Sequence, residues 1–282
     1  MTLSEQQSSL PPRTDRLRVL HVWNTAGVAS VIAKFTDRTG RTGSRVITRK
    51  RFDRAGLTYY GKAYNDGATV FYTRALYNAW SADIVHVHSL DRAVPWLKRL
   101  TRGKPLIMHY HGTDILGRWE EKRTLWERAD MVAYSTPNLA EGAPSAAVHV
   151  PNPVDTDLFH PYDSPREAGA AVTIRYGSDA EVEALAVSRG LKLRWLERGT
   201  PHSELPGHFS ACEYFIDFRR PPGFESPVRS LGKAALEALA CGCKVIDWSG
   251  TVLEGLPREN RPEEVAGLWI GYYDRLAGRM TV

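Results

Sequence analysis

The sequence predicts an α/β protein made of two Rossmann-like, parallel-sheet domains facing a cleft. Three observations carry that prediction. Near-continuous apolar runs such as "LRVLHVWN" (17–24) and "ADIVHVHS" (82–89) read as strands buried on both faces. They alternate with helical segments, the order that builds parallel sheets covered on both sides. The alternation then restarts after "HPYDSPREAGA" (160–170), a polar, Pro-containing stretch suited to a linker. Two such units place a ligand cleft at the carboxyl edges of both sheets.

Taken in order, residues 1–16 are polar, Pro-containing and without period, so a disordered leader is expected. The first domain, 17–160, opens with the strand "LRVLHVWN", a small-residue turn and the short helix of "TAGVASVIAKFTDRTG". "RVIT", "ADIVHVHS", a helix around 93–100, "KPLIMHYHGTD", a helix over 119–128 and "DMVAYST" continue it, and "AAVHVPNPVDTDLF" closes it. After the linker, 161–170, the second domain spans 171–262. It runs "AVTIRYG", a helix over 179–188, "LKLRWLE", "CEYFIDF", a further helix and "CKVIDW". That further helix lies in "SPVRSLGKAALEALACG", where Ser226-Pro227 has the pattern of an N-cap with Pro at N1 and Gly242 that of a C-cap. Residues 263–282 predict an amphipathic terminal helix with Leu268, Trp269, Tyr272 and Leu276 on one stripe.

Composition narrows the class. With 282 residues, 43% hydrophobic and 24% charged, the chain has the make-up and the length for two soluble domains. No apolar run approaches the roughly 20 residues of a membrane span, and the N-terminus lacks the order of a signal peptide, so a cytoplasmic protein is expected. Three cysteines without a CxxC pair argue against a disulfide framework or zinc ribbon. The net charge of +5 favours anionic partners. Its densest cluster, "TRKRFDR" (48–54), reads either as a solvated face or as a docking patch for an anionic membrane.

Candidate chemistry gathers at two strand ends and one helix. In "HVHS" and "HYHGTD" the pairs His86/His88 and His109/His111 sit at i and i+2, each on one side of its strand. Core histidines bonded to neighbouring backbone would account for the first three. A zinc site is not expected, because no carboxylate or thiol completes a known ligand spacing. His111 stands apart, since Gly112 permits close backbone approach and Asp114 has the place of a helix N-cap. "TAGVAS" could cradle a phosphate, but Gly27 is its only glycine, short of a dinucleotide fingerprint. In the second domain, Glu237 lies between Leu236, Leu239 and Ala240, where a carboxylate needs a partner or a ligand. A helix N-terminus there can hold a diphosphate, and Glu237 can accept hydrogen bonds from the vicinal hydroxyls of a ribose. A local ion pair would explain the same carboxylate.

The runs "KPLIMHYHGTD", "ADMVAYSTPNLAE", "VHVPNPVDTDLFHP" and "LGKAALEALACGCKVI" together resemble a family-4-type retaining glycosyltransferase of the glycosyltransferase B fold, over about residues 17–280. The resemblance implies a UDP- or GDP-sugar donor held by the second domain and no metal or other cofactor. The acceptor, a lipid-linked glycan, a polysaccharide or a small molecule, would sit on the first domain. Residue by residue, it implies that Glu237 binds the donor ribose and that His111 lies by the donor sugar and reacting centre. Gly27 falls in the turn by the phosphates, and Ser230, Leu231 and Gly232 give the helix-leading backbone that meets diphosphate or sugar. The terminal segment resembles one that crosses back to the first domain.

The chain departs from the family at three points. The acid expected eight residues before Glu237 is Arg229, which could instead pair with an acidic sugar or the diphosphate in a catalytic role, with Glu225 as a stand-in acid. Of the basic clamp that opens the second domain, Arg175 and Gly177 remain without a following Lys, so Arg219, Arg220 and Lys233 are the expected substitutes. The second domain is also short for the fold. Two other readings therefore stand beside the enzyme: an inactive, transferase-like binding or scaffold protein, and a transferase acting on nucleic acid. The last lacks the aromatic-interleaved basic stripe of a strand binder.

Overall fold

The computed structural model describes residues 16–279 apart from 102, 164 and 222; the expected leader lies outside them except for Arg16. The first half forms a seven-stranded sheet from β1 (Leu17–Val22), β2 (Thr42–Arg49), β3 (Lys62–Tyr64), β4 (Ile84–His88), β5 (Leu106–Tyr110), β6 (Met131–Tyr134) and β7 (Val148–His149). Its order is β3-β2-β1-β4-β5-β6-β7 with every pair parallel. The crossovers include α1 (Val28–Arg38), α2 (Ala68–Ser81), α3 (Val94–Leu100) and the single turn α4 (Arg123–Trp126). The order reverses between β1 and β4, and ligands of doubly wound sheets bind at the carboxyl ends beside such a switch.

The second half repeats the plan with β8 (Glu167–Ile174), β9 (Lys192–Leu196), β10 (Cys212–Ile216), β11 (Lys244–Ile246) and β12 (Val252–Leu253), in the order β12-β11-β10-β8-β9. Its helices are α5 (Asp179–Ser188), α6 (Leu205–Ser210) and α7 (Lys233–Ala240). β12 pairs antiparallel with β11 at the edge; the other pairs are parallel. Each half has its own apolar centre. Leu20, Val87, Met108 and Tyr110 pack in the first, and Val172, Phe209, Phe215 and Leu236 in the second.

α8 (Pro262–Leu276) returns to the first half, where Val265, Trp269 and Tyr273 pack against Leu17, Val19, Ile84 and Ile107. Trp269, Tyr272 and Leu276 of the expected stripe pack there. Tyr273 joins them, fully buried like Trp269, whereas Leu268 is the one member of that stripe turned outward, 45% exposed. Among the described residues no helix is long and apolar enough to cross a membrane.

Three further expectations are corrected. β8 starts at Glu167, inside the stretch read as linker, because Glu167 binds Lys192 of β9 at 2.8 Å and its N–H donates to Ala211 O. The helix expected over 119–128 shrinks to α4. There the side chains tie successive turns to the body, with Trp119 Nε1 donating to Leu139 O at 2.8 Å and Lys122 meeting the buried Asp91 at 2.6 Å. The helix expected from Ser226 begins only at Lys233. Asp217 accepts the Gly232 N–H at 2.7 Å, Arg219 binds Ser230 O, and the Val228 N–H donates to Arg219 O, so 226–232 is pinned as a loop to the end of β10. α2 and β3 were not read from the sequence at all.

Candidate functional site

A cleft of about 370 Å³ lies between the two sheets, and its walls come from residues just past the carboxyl ends of strands. On the first half these are Ala26 after β1, His111 and Thr113 after β5, Asn138 after β6 and Asn152 after β7. On the second half they are Tyr176 after β8, Arg198 after β9, Asp217, Arg219 and Arg220 after β10, and residues 230–234 leading into α7. A recess of about 170 Å³ shares Ala26, Tyr176, Arg198, Lys233 and Ala234 with the cleft and reaches inward to Leu205, Thr200 and Glu237.

The second wall is cationic and ordered. Arg219 is clamped to Asp217 at 2.8 Å and to Ser230 O. A Cβ at Gly232 would come within 2.9 Å of Arg219 Nε, so glycine is what lets this guanidinium pack on the start of α7. Arg220 binds Glu181. Arg198 is exposed beside Tyr176, 5.7 Å from its ring, and makes no ion pair among the described residues. The first helical bond of α7 runs from Leu236 N–H to Gly232 O, so the N–H groups of Lys233 and Ala234 have no partner within the helix and meet the cleft.

Glu237 is buried at 3% exposure, and its Oε1 accepts from both Lys233 and His202, the latter at 3.2 Å. Burial works to raise its carboxyl; Lys233 and then His202 overcome that and hold it below the ordinary range. It therefore stays charged at the floor of the recess. His202, held between Tyr59 and Phe159 at ring distances of 5.8 and 5.0 Å, is a partner no sequence pattern announced.

The first wall is neutral. Asn138 Oδ1 and, across the cleft, Ser230 Oγ are buried atoms with no hydrogen-bond partner among the described residues, and Asn152 lies beside His111. His111 presents its ring to the cleft while its nitrogens face inward, Nδ1 to Ser135 Oγ at 2.7 Å and Nε2 to His88 Nδ1 at 3.0 Å. Burial drives the His111 imidazole down to about 4 against the opposing pull of Asp114.

Of the residues singled out from the sequence, His111, Ser230, Leu231, Gly232, Lys233, Arg219 and Arg220 line the cleft and Glu237 lines its recess. Five do not. Arg175 turns away to Asp179 and Glu197 and stacks on Trp195 at 4.4 Å. Gly27, in the left-handed region at φ 76°, makes the turn that puts Ala26, rather than itself, at the cleft. Asp114 begins no helix. It folds back onto its own loop, accepting the N–H groups of Gly112 at 2.7 Å and His111 at 3.1 Å. Arg229 and Glu225 are exposed and lie outside the lining, because the pinned loop turns Val228 and Ser230 inward instead. Arg198, Asn138 and Asn152 complete the site and carried no sequence signal beyond their places after strands.

No family model matches the chain, and no curated protein sequence matches it. Among solved structures, a sucrose-phosphate synthase from Thermosynechococcus elongatus aligns over 94% of this chain and 92% of its own, with TM-score 0.52 and 13% identity. A UDP-N-acetylglucosamine 2-epimerase aligns over 94% and 91%, with TM-score 0.43 and 11% identity. The chain has the architecture of the glycosyltransferase B fold, two Rossmann-like domains about a cleft.

Proposed function

We propose that the chain is a glycosyltransferase, similar to the family-4-type retaining enzymes, which moves a sugar from a UDP- or GDP-sugar to an acceptor hydroxyl. The observation that carries this reading is the union of two features in one cleft. A cationic wall headed by the start of α7 suits a diphosphate, and the adjoining recess ends on the buried carboxylate of Glu237, which suits a ribose. In this pose the ribose hydroxyls donate to Glu237, and the diphosphate lies against the Lys233 and Ala234 N–H groups with Arg198, Arg219 and Lys233 around it. The donor sugar then projects toward His111, Asn138 and Asn152.

Reaction with retention breaks the bond between the anomeric carbon and the diphosphate oxygen and joins the acceptor oxygen to the same face. The acceptor's proton passes to the departing diphosphate. Fixed cations and a helix N-terminus stabilise the charge that develops on the leaving group, and this is where the second wall contributes to rate. The reading calls on no metal or other cofactor. The acceptor, a lipid-linked glycan, a polysaccharide or a small molecule, meets the first half. A cytoplasmic site of action fits the reading, with segment 48–54 offered to an anionic membrane and nucleic acid not a partner.

One observation favours an inactive binding protein instead: the position of the family's first acid holds Arg229, and that side chain is exposed away from the cleft. Calorimetric titration with UDP-, GDP- and dTDP-sugars tests the main reading. One donor is expected to bind, tighter with its sugar than without. Silence across the set overturns it, and binding without transfer or slow hydrolysis favours the second.

A further inference from the structure

Four buried histidines of the first half and the half-buried His111 form one hydrogen-bonded chain with Ser135 and Tyr273. From the α8 end, the Tyr273 hydroxyl meets His86 Nδ1 at 2.9 Å, and His86 Nε2 meets His109 Nδ1 at 3.3 Å. His109 Nε2 meets Ser135 Oγ at 2.9 Å, and Ser135 Oγ meets His111 Nδ1 at 2.7 Å. His111 Nε2 meets His88 Nδ1 at 3.0 Å, and His88 Nε2 meets His21 Nδ1 at 3.1 Å. His21 Nε2 ends the chain, buried and without a partner among the described residues.

A neutral imidazole has one N–H and one bare nitrogen, so a ring that accepts on one side must donate on the other. With each link holding one proton, the chain has two orders that run one way throughout, and a third. In the third, Ser135 Oγ accepts from both His109 and His111, leaving its own buried O–H without an acceptor among the described residues and His21 Nε2 bare. If Tyr273 donates to His86 and the order runs one way throughout, every histidine carries its proton on Nε2, and the one unsatisfied group is the His21 Nε2–H. If the order is reversed, every proton sits on Nδ1. Then the buried Tyr273 O–H has no acceptor among the described residues, and His21 Nε2 is bare as well. The first order leaves fewer orphaned groups and is favoured.

We propose that Tyr273, His86, His109, Ser135 and His88 are positioning residues that lock His111 in the neutral Nε2–H tautomer, so that His111 meets the ligand of the cleft as a fixed, uncharged group and not as a general acid or base. This holds whatever the cleft binds, and it ties the docking of α8 to the chemistry of a cleft residue through four intervening hydrogen bonds. The titratable groups facing His111 are Asp114 on its own loop and His88 and His109 from β4 and β5; His149 of β7 faces His109, and Asp37 of α1 faces Tyr273. Burial lowers all five imidazoles, in keeping with a neutral chain.

Long-range 1H–15N spectra of the 15N-histidine-labelled full chain test this, since they show which ring nitrogen carries the proton. All five histidines are expected in the Nε2–H form, unchanged between about pH 6.5 and 8, where the native state is stable. Tyr273→Phe removes the terminal donor and is expected to turn the His111 signal into a mixture of tautomers or into Nδ1–H. Ser135→Ala should do the same without touching α8, and Ser135→Thr should restore the single form. His111 titrating in that range, a mixed tautomer in the wild type, or a pattern unmoved in both variants overturns the proposal. So does a stoichiometric transition metal in the purified protein, since His88, His109 and His111 have ring nitrogens close enough to share one.

Discussion

The histidine chain of the first half and Glu237 of the second are accommodated in opposite ways. In the first half four buried imidazoles and the half-buried His111 stay neutral by linking each to the next, with no charged partner in that chain. In the second half the buried carboxylate Glu237 is kept charged by Lys233 and His202. The walls of the cleft follow suit, neutral polar groups facing arginines and a lysine. Low dielectric favours neutralising a group unless a charged partner is fixed beside it, and here both solutions appear either side of one cleft.

The pH dependence of stability separates the two and carries the largest expected effect. Unfolded histidines titrate near 6.5, and burial lowers the five of the chain, His111 to about 4 and His21 to about 3. Above the unfolded value both states are neutral and nothing is lost. As pH falls below it, the unfolded chain takes up protons the native state refuses, at about 1.4 kcal/mol per histidine per pH unit, or up to about 7 kcal/mol for all five. Glu237 is depressed in the native state, so its contribution is present above the ordinary carboxylate range and lost only lower still. Urea midpoints are therefore expected to collapse between about pH 6.5 and 5, before the carboxylate takes part. A flat midpoint across that window breaks the comparison.

Lys233→Met comes next. It leaves Glu237 charged and buried with His202 alone, and removing one partner of a buried pair typically costs about 3–5 kcal/mol. Urea denaturation at neutral pH reads it, and a loss below about 1 kcal/mol would mean that Glu237 is far better hydrated than its burial implies. Glu237→Gln sharpens the point by removing the charge itself. Its expected effect falls on ligand binding, with nucleotide affinity weakened by about 1–3 kcal/mol, the scale of a hydrogen bond to a charged group. Unchanged affinity in the folded variant removes the ribose from the recess.

The same contrast explains how much could be read from the sequence. Strands buried on both faces announce themselves as apolar runs, and their carboxyl ends locate the cleft, so the sheets, His111 and Glu237 were legible. What failed depended on partners distant in sequence. Ser226-Pro227 has every mark of a helix start, yet Asp217 and Arg219 at the end of β10 hold that loop open until Lys233. Arg175 has the right neighbours in sequence for a phosphate clamp, but Trp195, Glu197 and Asp179 claim it. The histidines showed their spacing along each strand. The register that joins them across strands, with His21 beside His86 and His88 beside His109, appears only in the sheet.

Arg198 provides the smallest test and the one most specific to the second wall. It follows β9 in an exposed loop, and its guanidinium makes no ion pair among the described residues, so the folded state gains little from it. Its place beside Tyr176, where the cleft meets the recess, is where a diphosphate would link ribose to sugar. Arg198→Ala is expected to leave the urea midpoint within about 0.5 kcal/mol of wild type and to weaken nucleotide binding by about 1–2 kcal/mol. Because the lost contact is between exposed charges, the difference between variant and wild type should shrink as ionic strength rises. A variant that binds as tightly as wild type at low salt would move the diphosphate onto Arg219 and Lys233 alone. The cationic wall would then be narrower than the geometry of the cleft indicates.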